Sequence, residues 1–394
     1  MKNFTQYLPT EVVFGKETHM QVGKQVKKWG GTKVLIVYGG GSVVKSGLLN
    51  TIKEKLTEEG IEFQELGGVQ PNPRLSLAEE GVRKAISCKA DFILAVGGGS
   101  SIDTAKGIAH GTANPNEVLW DIWTGKVPLT KSLPVGVVLT LAAAGSETSD
   151  SAVLTNEAMG RKAGINTDFN RPKFAIMNPE LTYTLPKFQL TCGIVDIMMH
   201  TLDRYFTPTK GNQLTDEIAE ALLRVVIENG TKAYANQTDY DAMSEIMWCG
   251  SISHNNLTGL GAEKDFAPHK IGHELSAKYD VAHGASLSAI WGAWARYVYE
   301  IDPARFNKYA FKVWGIREEN PLVGARKAIE QTEGYFQSLG MPICLGDLSI
   351  GVQPDEELQD MARRGTCNDT IRLAKFKELD QHDVYEIFKA ANHS

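Results

Sequence analysis

The chain has little with which to cross-link itself, cross a membrane or hold a polyanion. Its five cysteines (Cys88, Cys192, Cys249, Cys344 and Cys367) are scattered over 394 residues and form no C-x-x-C pair. An odd, dispersed set argues against a disulfide framework and for a reducing, cytoplasmic setting. The opening M-K-N-F-T-Q-Y-L-P-T-E lacks the apolar stretch of a secretory signal. The longest apolar run, 133–144, is too short to span a bilayer, so no membrane partner is expected. Basic residues occur only in short groups such as Lys27-Lys28, and the net charge is −6, which argues against an electrostatic nucleic-acid binder. Internal repeats and low-complexity tracts are missing too. Nor is there an H-E-x-x-H: after His273-Glu274 the second His would stand at 277, which is Ala277. That removes metallopeptidases of the zincin type.

What is present is ordinary globular material, 42% hydrophobic, at a length that fits two domains. The first half alternates strand and helix signals. K-V-L-I-V-Y (33–38) reads as a buried strand, ended by Gly39, Gly40 and Gly41, with Ser42 placed as a helix N-cap and a helix over 43–59. Position 44 is Val, so the full G-x-G-x-x-G pattern is not met. A second strand at 62–66 leads to Pro71-Asn72-Pro73, a rigid turn, and a helix at 75–87. D-F-I-L-A-V (91–96) then runs into G-G-G-S-S-I-D-T-A-K (97–106), again strand, glycines, helix. Glycines let a backbone approach a ligand closely, and a helix start offers N–H groups to an anion. Two such loops point beyond a plain βα turn to a diphosphate-containing ligand. Further strands are read at 133–141, 153–155, 162–166 and 173–177, giving a parallel sheet with helices on its faces. From Phe188 onward the runs are almost all helical, so the chain divides at 187 into an α/β nucleotide-binding domain (1–187) and an all-α domain (188–394).

The second half concentrates metal-type side chains. D-F-A-P-H-K-I-G-H-E-L-S-A-K-Y-D-V-A-H-G (265–284) puts His269, His273 and His283 in fifteen residues, although the whole chain has nine His. His269 and His273 stand at i and i+4, one face of a helix. Asp196 and His200 repeat that spacing in D-I-M-M-H, inside an apolar run where an uncompensated Asp would be costly. One i, i+4 pair is commonly a surface feature; two pairs and a fifth residue point to a divalent ion, with Fe, Zn, Ni and Mn all open.

Across nearly its whole length the chain resembles the iron-dependent (group III) alcohol dehydrogenases, in their butanol dehydrogenase and aldehyde reductase branch. The resemblance rests on G-G-G-S-x-x-D-x-A-K, a G-S-E turn after a strand, G-x-x-D-x-x-x-H, the three-histidine block and Y-G-G-G-S-V-V-K-S-G. It implies the iron-containing alcohol dehydrogenase (dehydroquinate synthase-like) fold: an α/β dinucleotide-binding domain followed by an all-α catalytic domain. It assigns Asp196, His200, His269 and His283 as ligands of Fe²⁺, with Zn²⁺ as the alternative, and His273 as a histidine lining the site. Gly98, Gly99 and Ser100 match the pyrophosphate loop, Asp103 and Lys106 the same motif, and Asn72, Thr140, Leu141 and Lys162 further nucleotide contacts. Relatives that prefer NAD carry an Asp where this chain has Gly39. With Gly40, Gly41 and Ser42, and Lys45 nearby, that implies room for a 2′-phosphate and NADP(H) over NAD(H). Two positions depart from the family: Ala144 where Thr is frequent, and Asp203 where Glu is usual. Neither is expected to touch the metal set.

The implied activity is metal-assisted interconversion of short- to medium-chain aldehydes and primary alcohols, with His273 relaying the proton. The competing readings are a polyol dehydrogenase or a cyclase on the same scaffold, a metal-dependent hydrolase, and a non-catalytic sensor. Phe266, Trp291 and Trp294 hint at apolar walls. A homodimer is expected, with small aldehydes and alcohols as partners.

Overall fold

The computed structural model describes residues 1–394 as two compact units, Tyr7–Leu185 and Pro186–Ser394, the latter joined by Met1–Gln6. The first six residues belong with the second unit because the Lys2 amide donates to Gly261 O at 2.8 Å and the Lys2 ammonium pairs with Glu263 at 2.7 Å. No helix is long and apolar enough to cross a membrane.

The first unit runs β1 (Glu11–Phe14), α1 (Val22–Lys28), β2 (Lys33–Gly39), α2 (Ser42–Lys45), α3 (Leu48–Glu58), β3 (Glu62–Val69), α4 (Leu75–Ser87), β4 (Phe92–Gly97), α5 (Gly99–Ala113), α6 (Leu119–Trp123), β5 (Val135–Leu139), β6 (Ser151–Asn156), β7 (Arg161–Asn166) and β8 (Phe174–Met177). Six strands form one parallel sheet in the order β1-β8-β5-β4-β2-β3; β6 and β7 form a separate antiparallel hairpin. Parallel strands need both faces covered, which is why β4 and β5 are buried at every residue. Val34, Ile36, Phe92, Leu94, Val96 and Ile176 pack against Val22 and Val26 of α1 and Ile52 and Leu56 of α3.

Three helix-to-strand turns share one solution. After α1, α3 and α4 the chain enters the left-handed region at Gly30, Gly60 and Lys89. In each the next N–H reaches back to close the helix: Gly31 to Val26 O (3.0 Å), Ile61 to Leu56 O (3.0 Å), Ala90 to Ala85 O (2.8 Å). This cap satisfies carbonyls that a helix end leaves open, and glycine takes it without steric cost.

Two expectations fail locally. The helix read over 43–59 is broken into α2 and α3 because Gly47 adopts φ +80°. Ser42 is the first residue of α2, and the cap position belongs to Gly41. β1 and α1 are short and carried no clear sequence signal.

The second unit is helical: α7 (Lys187–Tyr205), α8 (Gln213–Ala235), α9 (Tyr240–His254), α10 (Ala267–Tyr279), α11 (His283–Val298), α12 (Pro303–Trp314), α13 (Pro321–Ser338), α14 (Asp355–Gly365) and α15 (Gln381–Ala391). Phe206, Trp294, Phe306 and Phe376 form an aromatic cluster at its core; Phe206 and Phe306 stack with centroids 4.2 Å apart. Trp291 and Trp294 are 0% and 1% exposed; Trp294 belongs to this cluster and Trp291 packs on Phe336 with centroids 6.1 Å apart, so both are core residues and not a pocket wall.

Candidate metal centre and cofactor loops

Three helices bring the predicted metal residues together. Asp196 and His200 lie one turn apart on α7, His269 in the first turn of α10, and His283 at the first position of α11. The last is delivered by a glycine. A Cβ on Gly284 would sit 2.3 Å from the Cys192 carbonyl oxygen, so only glycine lets the start of α11 press onto α7 one turn before Asp196. From Asp196 Oδ1 the distances are 3.0 Å to His200 Nδ1, 3.6 Å to His269 Nε2 and 3.8 Å to His283 Nε2. The first three side chains are at most 6% exposed; His283 is 25% exposed. His273, one turn beyond His269, holds its ring 5.4 Å from that of His283.

The residues fit a divalent ion. Donor atoms of Asp196, His200 and His269 all lie within 4.8 Å of one another. Asp196 Oδ1 and His269 Nε2 are buried without a hydrogen-bond partner, an arrangement that folded proteins avoid unless something else fills the coordination. Nδ1 of His200 and Nδ1 of His269 are both engaged. His200 Nδ1 lies 2.9 Å from the main-chain oxygen of Asp196, and His269 Nδ1 lies 2.6 Å from Asp203 Oδ2. Bonding at Nδ1 leaves Nε2 as the basic nitrogen on each ring. The nitrogen and oxygen donors suit Fe²⁺ and Zn²⁺ alike.

Electrostatics follow from the geometry. Burial would raise the Asp196 carboxyl, but the imidazoles of His200 and His283 hold it well below the usual carboxylate range. Burial pushes His200 down. It pushes His269 down as well, but the carboxylates of Asp203 and Asp196 outweigh it and raise the ring to about 8.

Sequence reasoning missed three contributors. Asp203 was set apart from the metal set, yet it is 0% exposed and grips His269. The signal was available: Asp196, His200 and Asp203 stand at i, i+4 and i+7, one stripe of α7. Asp265 organises the start of α10. Its Oδ1 accepts from Ala267 N at 3.0 Å, and its Oδ2 from Lys375 N at 2.8 Å and Phe376 N at 2.6 Å. Its own N–H donates to Asp203 O at 2.9 Å, and burial pushes its carboxyl up to about 6. The third, His254 at the end of α9, has its ring 4.0 Å from that of His200, and no spacing in the sequence announced it. Phe266 completes this wall, 5.3 Å from His269 and 6.3 Å from His200.

In the first unit the predicted cofactor residues gather at one sheet edge. β2 sends the chain to β3 on one side, and the chain returns to β4 on the other, so the carboxyl ends of β2 and β4 flank a topological switch point. Gly39 ends β2, and Gly40, Gly41 and Ser42 follow it; Gly98, Gly99 and Ser100 follow β4; Thr140 and Leu141 follow β5. Thr140 N donates to Gly97 O at 3.1 Å. A Cβ on Gly98 would come within 3.0 Å of Leu141, and one on Gly99 within 3.4 Å of Ala144, so these glycines allow the loops to close on each other. The α5 N-terminus has no side-chain cap, which leaves its N–H groups for an anion. Lys162 Nζ donates to Asn72 Oδ1 at 3.0 Å, joining the β6–β7 hairpin to the turn after β3. Asp103 accepts from Ser146 Oγ at 2.6 Å with Oδ1 and from Val153 N at 2.9 Å with Oδ2.

Residues 9–179 match the family described as iron-containing alcohol dehydrogenase, and residues 191–392 the C-terminal part of the Fe-containing alcohol dehydrogenase family. The chain belongs to the iron-containing alcohol dehydrogenase family. Within it the chain falls in the branch of butanol dehydrogenases and aldehyde reductases. It is 38% identical over 391 residues to the NADH-dependent butanol dehydrogenase A of Clostridium acetobutylicum, covering 99% of each chain. It is 35% identical over 354 residues to the NADPH-dependent aldehyde reductase of Escherichia coli, covering 89% of this chain and 90% of that one. The crystal structure of NADH-dependent butanol dehydrogenase A from Thermotoga maritima superposes with a TM-score of 0.95 at 35% identity, over 100% of this chain and 99% of that one. An iron-containing alcohol dehydrogenase is an oxidoreductase, so this chain is an enzyme.

Proposed function

We propose that the protein is a metal-dependent, NADP(H)-linked alcohol dehydrogenase/aldehyde reductase that interconverts short- to medium-chain aldehydes and primary alcohols, in the manner of a butanol dehydrogenase. The observation that carries this reading is the meeting of Asp196 Oδ1 and His269 Nε2, buried and 3.6 Å apart, in a chain of this family. Asp196, His200, His269 and His283 hold the ion, Fe²⁺ or alternatively Zn²⁺. When bound, the ion supplies Lewis acidity at a carbonyl oxygen and the nicotinamide supplies the hydride. The chain's own part is positioning and proton supply. Phe266 gives the substrate an apolar wall, and His273, beside His283, returns a proton to the product oxygen. Gly98, Gly99 and Ser100 take the diphosphate, with Thr140, Leu141, Asn72 and Lys162 around the rest of the nucleotide.

The relatives named above include one called NADH-dependent and one called NADPH-dependent, so their names do not choose the nucleotide. The preference for NADP(H) rests on the end of β2. A Cβ on Gly40 or Gly41 would meet nothing within 4 Å, so there is open space and no carboxylate at 39–42 to repel a 2′-phosphate. The reading includes a cytoplasmic homodimer; five free thiols suit a reducing compartment.

The test is reduced-nicotinamide oxidation with butanal by chelator-stripped protein, repeated after Fe²⁺ or Zn²⁺ is restored. Turnover should require metal, and kcat/KM should be higher with NADPH than with NADH. Equal values with both nucleotides would remove the NADP(H) preference. No turnover with either nucleotide, either metal or any of several aldehydes would turn the reading to a hydrolase, and faster oxidation of diols than of butanol to a polyol dehydrogenase. In the same assay His273→Ala should lower kcat by roughly 10²-fold, as loss of a general acid does. An unchanged kcat and pH profile would end its proton role.

A further inference from the structure

Lys106 is the most deeply buried lysine of the chain, 0% exposed, and no step above uses it. It lies on α5, two turns behind the Gly97 to Gly99 loop. An ammonium has three N–H groups, and all three are spent on a single neighbouring stretch: Ser146 O at 2.7 Å, Ser146 Oγ at 2.8 Å and Ser151 O at 2.8 Å. Asp103, one turn earlier on the same face, holds the same stretch. Its Oδ1 accepts from Ser146 Oγ at 2.6 Å and its Oδ2 from Val153 N at 2.9 Å. Two side chains of α5 thus fix residues 146–153 with five hydrogen bonds.

The stretch they fix continues directly from the β5 loop. Leu141 and Ala144 are the atoms that a Cβ on Gly98 or Gly99 would strike, and Gly145 turns the chain with φ +64° from that loop into Ser146. The β5 loop therefore has its start tied to the β4 loop by Thr140 N–Gly97 O and its end tied to α5 by Lys106 and Asp103. Burying a charge pair is an inefficient route to stability, since well-packed apolar groups of the same volume do as well or better. Burial lowers Lys106 to about 8 even beside Asp103, which is a measure of that cost. What the pair provides that apolar packing would not is a directional hold on one loop position.

We infer that Lys106 and Asp103 are positioning residues for nucleotide binding: they hold the 140–146 loop against the Gly98–Gly99 backbone at the spacing the dinucleotide requires. The inference rests on the cofactor reading above. It separates from a purely structural role through two quantities, melting temperature and nucleotide dissociation constant. Lys106→Met should raise the NADPH dissociation constant at least ~10-fold, equivalent to about 1.4 kcal/mol, and lower the melting temperature, because Asp103 is left without its counter-charge. The double variant Asp103→Asn/Lys106→Met removes both charges. It should recover most of the melting temperature and none of the nucleotide affinity. Should Lys106→Met fail to fold, Ser146→Ala, which cuts two of the five bonds while keeping both charges, should still weaken NADPH by roughly 3-fold or more. Recovery of both quantities in the double variant, or wild-type affinity in Lys106→Met or in Ser146→Ala, overturns the clamp. A wild-type protein that binds neither NADPH nor NADH overturns the cofactor reading and the clamp with it, whereas binding by the wild type with unchanged variants overturns the clamp alone.

Discussion

Asp196→Ala is expected to abolish stoichiometric metal binding and to lower kcat/KM for aldehyde reduction by roughly 10³-fold or more. The magnitude is that of several kcal/mol of charge stabilisation lost at the reacting oxygen. Asp196 is the carboxylate on which the set converges, with His200, His269 and His283 all within 3.8 Å of one oxygen. Removing it leaves imidazoles that carry no formal charge to hold a divalent cation. The same change takes from the buried His200 and His269 rings the carboxylate that answers them, so the metal-free variant should melt below the metal-free wild type. Metal analysis, initial rates and thermal melts on the two proteins check this together. Full metal content with full activity would remove Asp196 from the ligand set.

Asp203→Ala should weaken the metal 10- to 100-fold in a chelator competition, the usual cost of losing a carboxylate that orients a liganding histidine. The 2.6 Å bond from His269 Nδ1 to Asp203 Oδ2 sets the ring rotation and places a proton on Nδ1, so that Nε2 is the nitrogen turned to the metal set. Asp203→Asn retains an oxygen that can accept from Nδ1 but loses the charge, so its affinity should fall between wild type and Ala. An Asp203→Ala protein that holds metal as tightly as wild type would reduce Asp203 to a packing residue.

The comparison of these two aspartates shows what the sequence discloses. Asp196 was legible because a carboxylate inside Ile194, Val195, Ile197 and Met198 must be answered by something, and His200 stood one turn away. Asp203 lay on the same helical stripe, but its partner His269 is 66 residues distant and carries no mark of which carboxylate it faces. His254 reaches His200 from yet another helix. The sheet was legible from its β-branched runs and glycine-terminated strands, because parallel strands are buried on both faces. The break between α2 and α3 was not, since one glycine mid-helix reads as tolerable until its φ is known. Trp291 and Trp294 show the converse limit. α11 is buried on nearly all sides, so periodicity could not say whether its tryptophans faced a pocket or the core.

The two edges of the parallel sheet obey different rules. At one lie the glycine loops after β2 and β4, where the proposed nucleotide would bind. At the other, the turns through Gly30, Gly60 and Lys89 do nothing but stop a helix and start a strand. A seven-residue strand such as β2 separates them by about 20 Å. For anyone wishing to immobilise the enzyme on a surface or splice in an affinity tag, the turns at residues 30, 60 and 89 are where an attachment would leave the nucleotide-facing edge open to solution.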